Sequence, residues 1–166
     1  LRDHPDAARQ LGRVIAMGGA VDERGNVGPR SEFNLAADPE AAAAVLAAGL
    51  DLVLVPLDVT RKVRASRADL AQLAAGGPAA RLSAALIEAY FDSTRSMSKQ
   101  LESRPLHDPC VMLLADRPEL FHLETRALAV DCRAEPGALI PGPHLVNVAL
   151  KVDGAAALAA LMGGLA

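Results

Sequence analysis

An α/β fold, with an open, mostly parallel sheet flanked by helices, is predicted from three features of the sequence. Two short apolar runs, "RVIAMGG" (13–19) and "DLVLVPLDVT" (51–60), have the length and composition of strands buried on both faces. Between them Asp38-Pro39-Glu40 opens an Ala-rich helix, so strand, loop, helix and strand follow one another as in a βαβ unit. Hydrophobic residues make up 51% of the chain and aromatic residues only 2%, which leaves Ala, Leu and Val to build the core and favours close packing of helices on parallel strands. With 166 residues, 1–166 is expected to be a single domain.

The elements follow in order. Asp6 to Leu11 has the pattern of a helix end, and the first strand stops at Gly18-Gly19. From Gly18 to Asn34 no period holds, and a loop of that length inside a domain is usually functional. Asp38 is an N-cap, Pro39 takes the first helical position, Glu40 lies in the first turn and Gly49 closes the helix. In the second strand Pro56 stands near the end, with Asp58 and Thr60 beyond it. Arg67 to Ala75 is a short helix ended by Gly76-Gly77, and Pro78 introduces a longer one. On that helix Leu82, Ala85, Leu86, Ala89, Tyr90, Met97 and Leu101 share a face expected to meet the core, leaving Glu88, Asp92, Arg95 and Lys99 to solvent. Asp108-Pro109 repeats the cap-plus-proline entry, into the apolar helix of "LHDPCVMLLAD" (106–116). Strands are expected over "HLETRALAVDC" (122–132) and "HLVNVALKVD" (144–153), and a last helix over Gly154 to Leu165.

The formal charge of −3 and the lack of any long Lys/Arg run argue against nucleic acid or anionic lipid as a partner. The apolar stretches are too short or too interrupted for a membrane span, which needs about 20 residues. Cys110 and Cys132 are too few for a disulfide framework and point to reduced core thiols and a cytoplasmic setting. The chain opens at Leu1 with no signal-peptide pattern, and an upstream portion is expected.

Three groups of residues could carry chemistry. Asn26, Glu32 and Asn34 on the long loop would suit sugar hydroxyls, with Phe33 as an apolar wall; turn formation and capping are the alternative. His107-Asp108 pairs an acid–base group with a hard oxygen ligand for Ca²⁺ or Mg²⁺; the alternative is that Asp108 caps the helix behind it. Met17-Gly18-Gly19 ends a strand where ligands of open α/β sheets bind. It matches neither a dinucleotide-binding glycine motif nor a P-loop. Cys110 falls within an apolar helix and is expected in the core, and His4, His122 and His144 have no partners at metal-binding spacing.

Taken in order, "VIAMGG", "GNVGPRSEFNLAADPEAA", "VPLDVT" and "LHDPCVMLLAD" resemble the carboxyl-terminal portion of the inosine-uridine-preferring nucleoside hydrolases, and "NVALKVD" (147–153) matches as well. The pattern E-F-N-x-x-x-D-P-E-A-A is the most specific part. The resemblance implies hydrolysis of the N-glycosidic bond of ribonucleosides in nucleoside salvage, through an oxocarbenium-like transition state, with water activated on Ca²⁺ and deprotonated by an Asp. It implies that Asn26 and Glu32 bind the 5′ side of the ribose and Asn34 its secondary hydroxyls, that Phe33 and Met17 wall the pocket, that Asp108 is a Ca²⁺ ligand, and that His107 assists departure of the base. Homodimers or homotetramers are implied too.

The family's amino-terminal D-x-D-x-G-x-D-D-A motif, which supplies most metal carboxylates, does not occur in the sequence. Ca²⁺ takes six to eight oxygens. The chain alone is therefore expected to hold the metal poorly and to associate through an uncovered sheet edge. The alternative to a working hydrolase is an inactive remnant that serves as a structural, oligomerisation or weak ribose-binding module. The stretch "CRAEPGALIPGPHL" (132–145) is shorter and richer in Pro and Gly than the family's, at the base side of the pocket.

Overall fold

The computed structural model describes residue 6 and residues 10–93 and 102–165. The helix end expected at Asp6 to Leu11 and the far half of the long helix, with Arg95, Met97, Lys99 and Leu101, fall largely or wholly outside the described residues. The first strand, β1, is Val14–Met17. Helices α1 (Phe33–Ala37) and α2 (Pro39–Ala47) lead to β2 (Leu52–Val55), and a helical turn α3 (Leu57–Thr60) follows. Next come β3 (Arg64–Ser66), α4 (Arg67–Ala74), α5 (Pro78–Ser93), β4 (Ser103–Pro105) and α6 (Pro109–Asp116). The chain continues through β5 (Phe121–Val130), β6 (Leu139–Pro141), β7 (His144–Val152) and α7 (Gly154–Leu165).

Among the described residues five strands form one sheet in the order β1-β2-β7-β5-β6. β1, β2 and β7 are parallel, and β5 runs against both β7 and β6, so only β5 is reversed. β3 and β4 form a separate antiparallel pair.

β2 shows why the apolar runs are unbroken. Leu52 and Leu54 face a cluster with Leu46, Leu128, Val146 and Val148. Val53 and Val55 face the opposite cluster, with Val59, Cys110, Leu113 and Ala157. All four β2 residues are buried, so each large side chain contributes about 1.5–3 kcal/mol of burial and a polar residue on either face would be costly. Cys110 belongs to this core: its thiol donates to the Leu106 carbonyl at 3.0 Å, and burial raises its pKa to about 12. Among the described residues β1 pairs only with β2, so it forms an edge of the sheet. No described helix is long and apolar enough to cross a membrane.

On α5 the inward face differs from the expected one. Ala80, Ala84 and Phe91 are buried, whereas Leu82 and Leu86 are 63% and 64% exposed. The helix carries two apolar stripes. The one with small residues lets α5 approach Leu73 of α4 closely, and Arg67 and Arg104 place their guanidinium groups 5.0 and 5.6 Å from the Phe91 ring.

Candidate functional site

The parallel register sets Met17 beside Val55, so the carboxyl ends of β1 and β2 open onto the same rim. There the Gly18 N–H donates to the Val55 carbonyl at 3.3 Å and the Leu57 N–H to the Gly19 carbonyl at 2.9 Å. Gly19 has φ +83°, and a Cβ there would lie 2.5 Å from the Leu139 side chain. Only glycine fits this crossing.

The long loop returns to that rim at Glu32, which is 1% exposed. Its Oε2 accepts from the N–H groups of Gly19 (3.1 Å), Asn34 (2.9 Å) and Leu35 (3.2 Å). The carboxylate thus caps α1 and ties it to the end of β1. The loop is shorter than the sequence suggests because this capped turn starts at Phe33. Asn26 Oδ1 accepts from the Phe33 N–H at 2.8 Å. Asn34 Nδ2 lies 3.2 Å from the Met17 carbonyl and 3.1 Å from its sulfur. Phe33 itself is 62% exposed. Met17, Asn26, Glu32, Phe33 and Asn34 therefore form one contact network, in which capping and presentation of polar groups coexist.

Helix α3, which periodicity does not reveal, holds the loop from below. Asp58 is 2% exposed, and its two oxygens accept from the N–H groups of Val21 (2.9 Å) and Asp22 (2.7 Å). Arg61 donates to the carbonyls of Arg24 (2.6 Å) and Gly25 (2.9 Å). Fully buried Thr60 places Oγ1 2.7 Å from His107 Nδ1. Burial holds the His107 imidazole below its usual pKa, while Asp108 pulls it up and Arg61 down; Glu32 also acts on it, so the loop and the mouth of α6 share one electrostatic environment. The lowered pKa favours the neutral imidazole, whose Nδ1 is engaged by Thr60.

Asp108 is the N-terminal neighbour of α6, but its side chain makes no cap hydrogen bond and is exposed. The capping alternative does not account for it. Among the described residues no three His, Cys, Asp or Glu side chains are grouped to hold a metal ion. Asp108 alone does not fit Ca²⁺. The signal for Asp58, Thr60 and Arg61 is present in "LDVTR": three polar residues crowd the stretch after a proline that ends a buried strand.

A family model described as inosine-uridine preferring nucleoside hydrolase matches residues 1–159. The pyrimidine-specific ribonucleoside hydrolase RihA of Enterobacter sp. (strain 638) is 35% identical over 136 residues, covering 81% of this chain and 43% of the relative. The RihA of Salmonella newport (strain SL254) gives the same identity and coverage. Two solved structures superpose with TM-score 0.90. A purine-preferring ribonucleoside hydrolase from Gardnerella vaginalis is 25% identical, with 99% of this chain and 55% of that one covered. A plant nucleoside hydrolase is 28% identical, with 99% and 56% covered. The chain thus spans less than half the length of these curated relatives.

Proposed function

Because the chain belongs to the inosine-uridine preferring nucleoside hydrolase family, we propose that it carries the ribose-binding side of a nucleoside N-ribohydrolase site, which splits a ribonucleoside into ribose and free base. The observation that supports this most is the joining of Glu32, Asn26, Asn34 and Met17 by hydrogen bonds at the ends of two parallel strands, within electrostatic range of His107.

In this reading Asn26 and Glu32 bind the 5′ side of the ribose, Asn34 binds its secondary hydroxyls, and Phe33 and Met17 wall the pocket. The three backbone donors on Glu32 Oε2 fix the carboxylate before substrate arrives, which is the preorganisation that stabilisation of positive charge on the sugar requires. When the Thr60 hydroxyl donates to Nδ1, His107 carries its proton on Nε2 and can donate to the departing base. Asp108 is proposed as a single calcium ligand, the remaining oxygens to come from outside the described residues. We place the activity in cytoplasmic nucleoside salvage, in a homo-oligomer or an association through the β1 edge.

The relatives named above include pyrimidine-specific and purine-preferring enzymes, so the common element proposed here is the ribose. The test is calorimetry with D-ribose, with and without Ca²⁺, beside an assay for reducing sugar released from uridine and inosine. Ribose binding that Asn34→Ala and Glu32→Gln weaken is expected, with Ca²⁺ adding little on this chain alone. Absence of heat in both conditions overturns the proposal.

A second reading, ribose binding without turnover by this chain alone, is favoured by the lack of a metal-holding cluster among the described residues. It predicts heat of binding with no sugar released.

A further inference from the structure

The turn between β5 and β6 meets the candidate ribose loop at Arg30 and Ser31, and Glu135 is central to the contact. Glu135 Oε1 accepts from two consecutive N–H groups, those of Arg30 and Ser31, the latter at 3.2 Å. Two further bonds join the same segments: the Ser31 hydroxyl donates to the Glu135 carbonyl at 3.4 Å, and Arg30 Nη2 to the Leu139 carbonyl at 2.6 Å. Ser31 also bridges to Ala138 as an isolated antiparallel pair.

Ser31 is the point from which two proposed sugar ligands are set. Its carbonyl accepts from the Asn26 N–H at 3.0 Å and the Val27 N–H at 3.3 Å, and the next residue is Glu32. Asn26 then accepts from Phe33. A continuous series of bonds therefore runs from Glu135 through Ser31 to Asn26 and into the helix that Glu32 caps.

The turn bearing Glu135 is itself fixed. Asp131 accepts from the N–H groups of Arg133 (2.8 Å), Ala134 (3.1 Å) and Glu135 (3.0 Å). Gly137, at φ +83°, lies so close to α1 that a Cβ there would come within 2.4 Å of the Ala36 nitrogen. Glu135 is half-buried, and a surface acid with only solvent to meet would not select two adjacent backbone donors at a distance of about 100 residues in sequence.

We propose that Glu135 is a positioning residue for the ribose side of the site, holding Arg30 and Ser31 so that Asn26 and Glu32 present their polar groups to the sugar. The proposal rests on the ribose assignment above, and it touches neither His107 nor Asp108. What matters is reach and an acceptor oxygen. Glu135→Gln keeps both, whereas Glu135→Asp keeps the charge and loses the reach.

The test combines amide hydrogen exchange over residues 25–34 with calorimetry using D-ribose, on this chain and its variants. Glu135→Ala and Glu135→Asp should expose the amides of Arg30, Ser31 and Asn26 to exchange about tenfold faster or more, with β2 unaffected, and weaken ribose binding by about the same factor. Glu135→Gln should restore both. Unchanged exchange in Glu135→Ala, or rescue by Asp instead of Gln, overturns the proposal. Exchange is read without ligand, so a chain in which no protein binds ribose sinks the ribose assignment while still deciding whether Glu135 holds the loop.

Discussion

Thr60 Oγ1 and His107 Nδ1 lie 2.7 Å apart, joining a buried turn after β2 to the residue before the Asp108-Pro109 helix start. The contact fixes the ring through Nδ1. If His107 has the proposed role of donor to the departing base, His107→Ala should slow nucleoside hydrolysis by roughly 100-fold or more. Thr60→Val should reproduce part of that loss with the melting temperature nearly unchanged, and Thr60→Ser should recover it. Steady-state rates on inosine for the three variants check this, and equal rates in Thr60→Val and wild type would remove the orienting role.

Glu32 is a buried carboxylate serving three backbone donors, so truncation leaves all three without a partner. Glu32→Ala is expected to destabilise the protein by about 3 kcal/mol, and Glu32→Gln, which keeps an acceptor oxygen, by about 1 kcal/mol. Urea unfolding followed by far-ultraviolet circular dichroism measures both. Equal losses would show that the charge matters and the acceptor does not.

The two thiols differ in environment. Cys110 is fully buried with its pKa raised to about 12, and Cys132 is half-buried. A disulfide reagent at pH 8 should therefore modify at most Cys132 in the native protein, with Cys110 reacting only on addition of denaturant. Two fast equivalents in native buffer would contradict the packing of α6.

Asp131 holds its turn through the N–H of Arg133 first, then those of Glu135 and Ala134, and these bonds keep its carboxyl below the usual carboxylate range. A carboxyl depressed in the folded state stabilises above its unfolded value, and that contribution disappears as the pH falls through the lower folded one. The melting temperature of Asp131→Asn should therefore approach that of wild type in acid and fall behind it at neutral pH. Parallel curves from pH 7 to pH 2 would refute this.

Much of the architecture is legible in the sequence because the elements with the plainest local signals are those the structure keeps. Asp38 caps α2 through a 2.9 Å bond to the Ala41 N–H, with Pro39 in the first turn, and the strands around Val53 and Val148 read as apolar runs because both faces are covered. Short elements are missed where distant partners create them. The β3–β4 pair depends on register between Ala65 and Arg104, and β6 exists because Leu139 to Pro141 lies against Leu128 to Val130. The inward face of α5 is chosen by Ala80 and Ala84, too small to dominate a hydrophobic pattern. In the candidate site, the E-F-N signature marks the long loop, but Asp58, Arg61 and Glu135, which hold it, work through backbone atoms tens of residues away. Composition can mark such residues, as in "LDVTR", but spacing along the chain does not tell which distant backbone atoms they hold.

That manner of holding has an evolutionary consequence. Asp58 grips the N–H groups of Val21 and Asp22, Arg61 the carbonyls of Arg24 and Gly25, and Glu135 the N–H groups of Arg30 and Ser31. None of these bonds reads the identity of the residue it holds. The exposed side chains of Arg24 and Val27 can therefore drift without disturbing the contour of the loop. The loop behaves as a cast form with an exchangeable glaze, on which new substrate preferences could be selected while the backbone beneath keeps its shape.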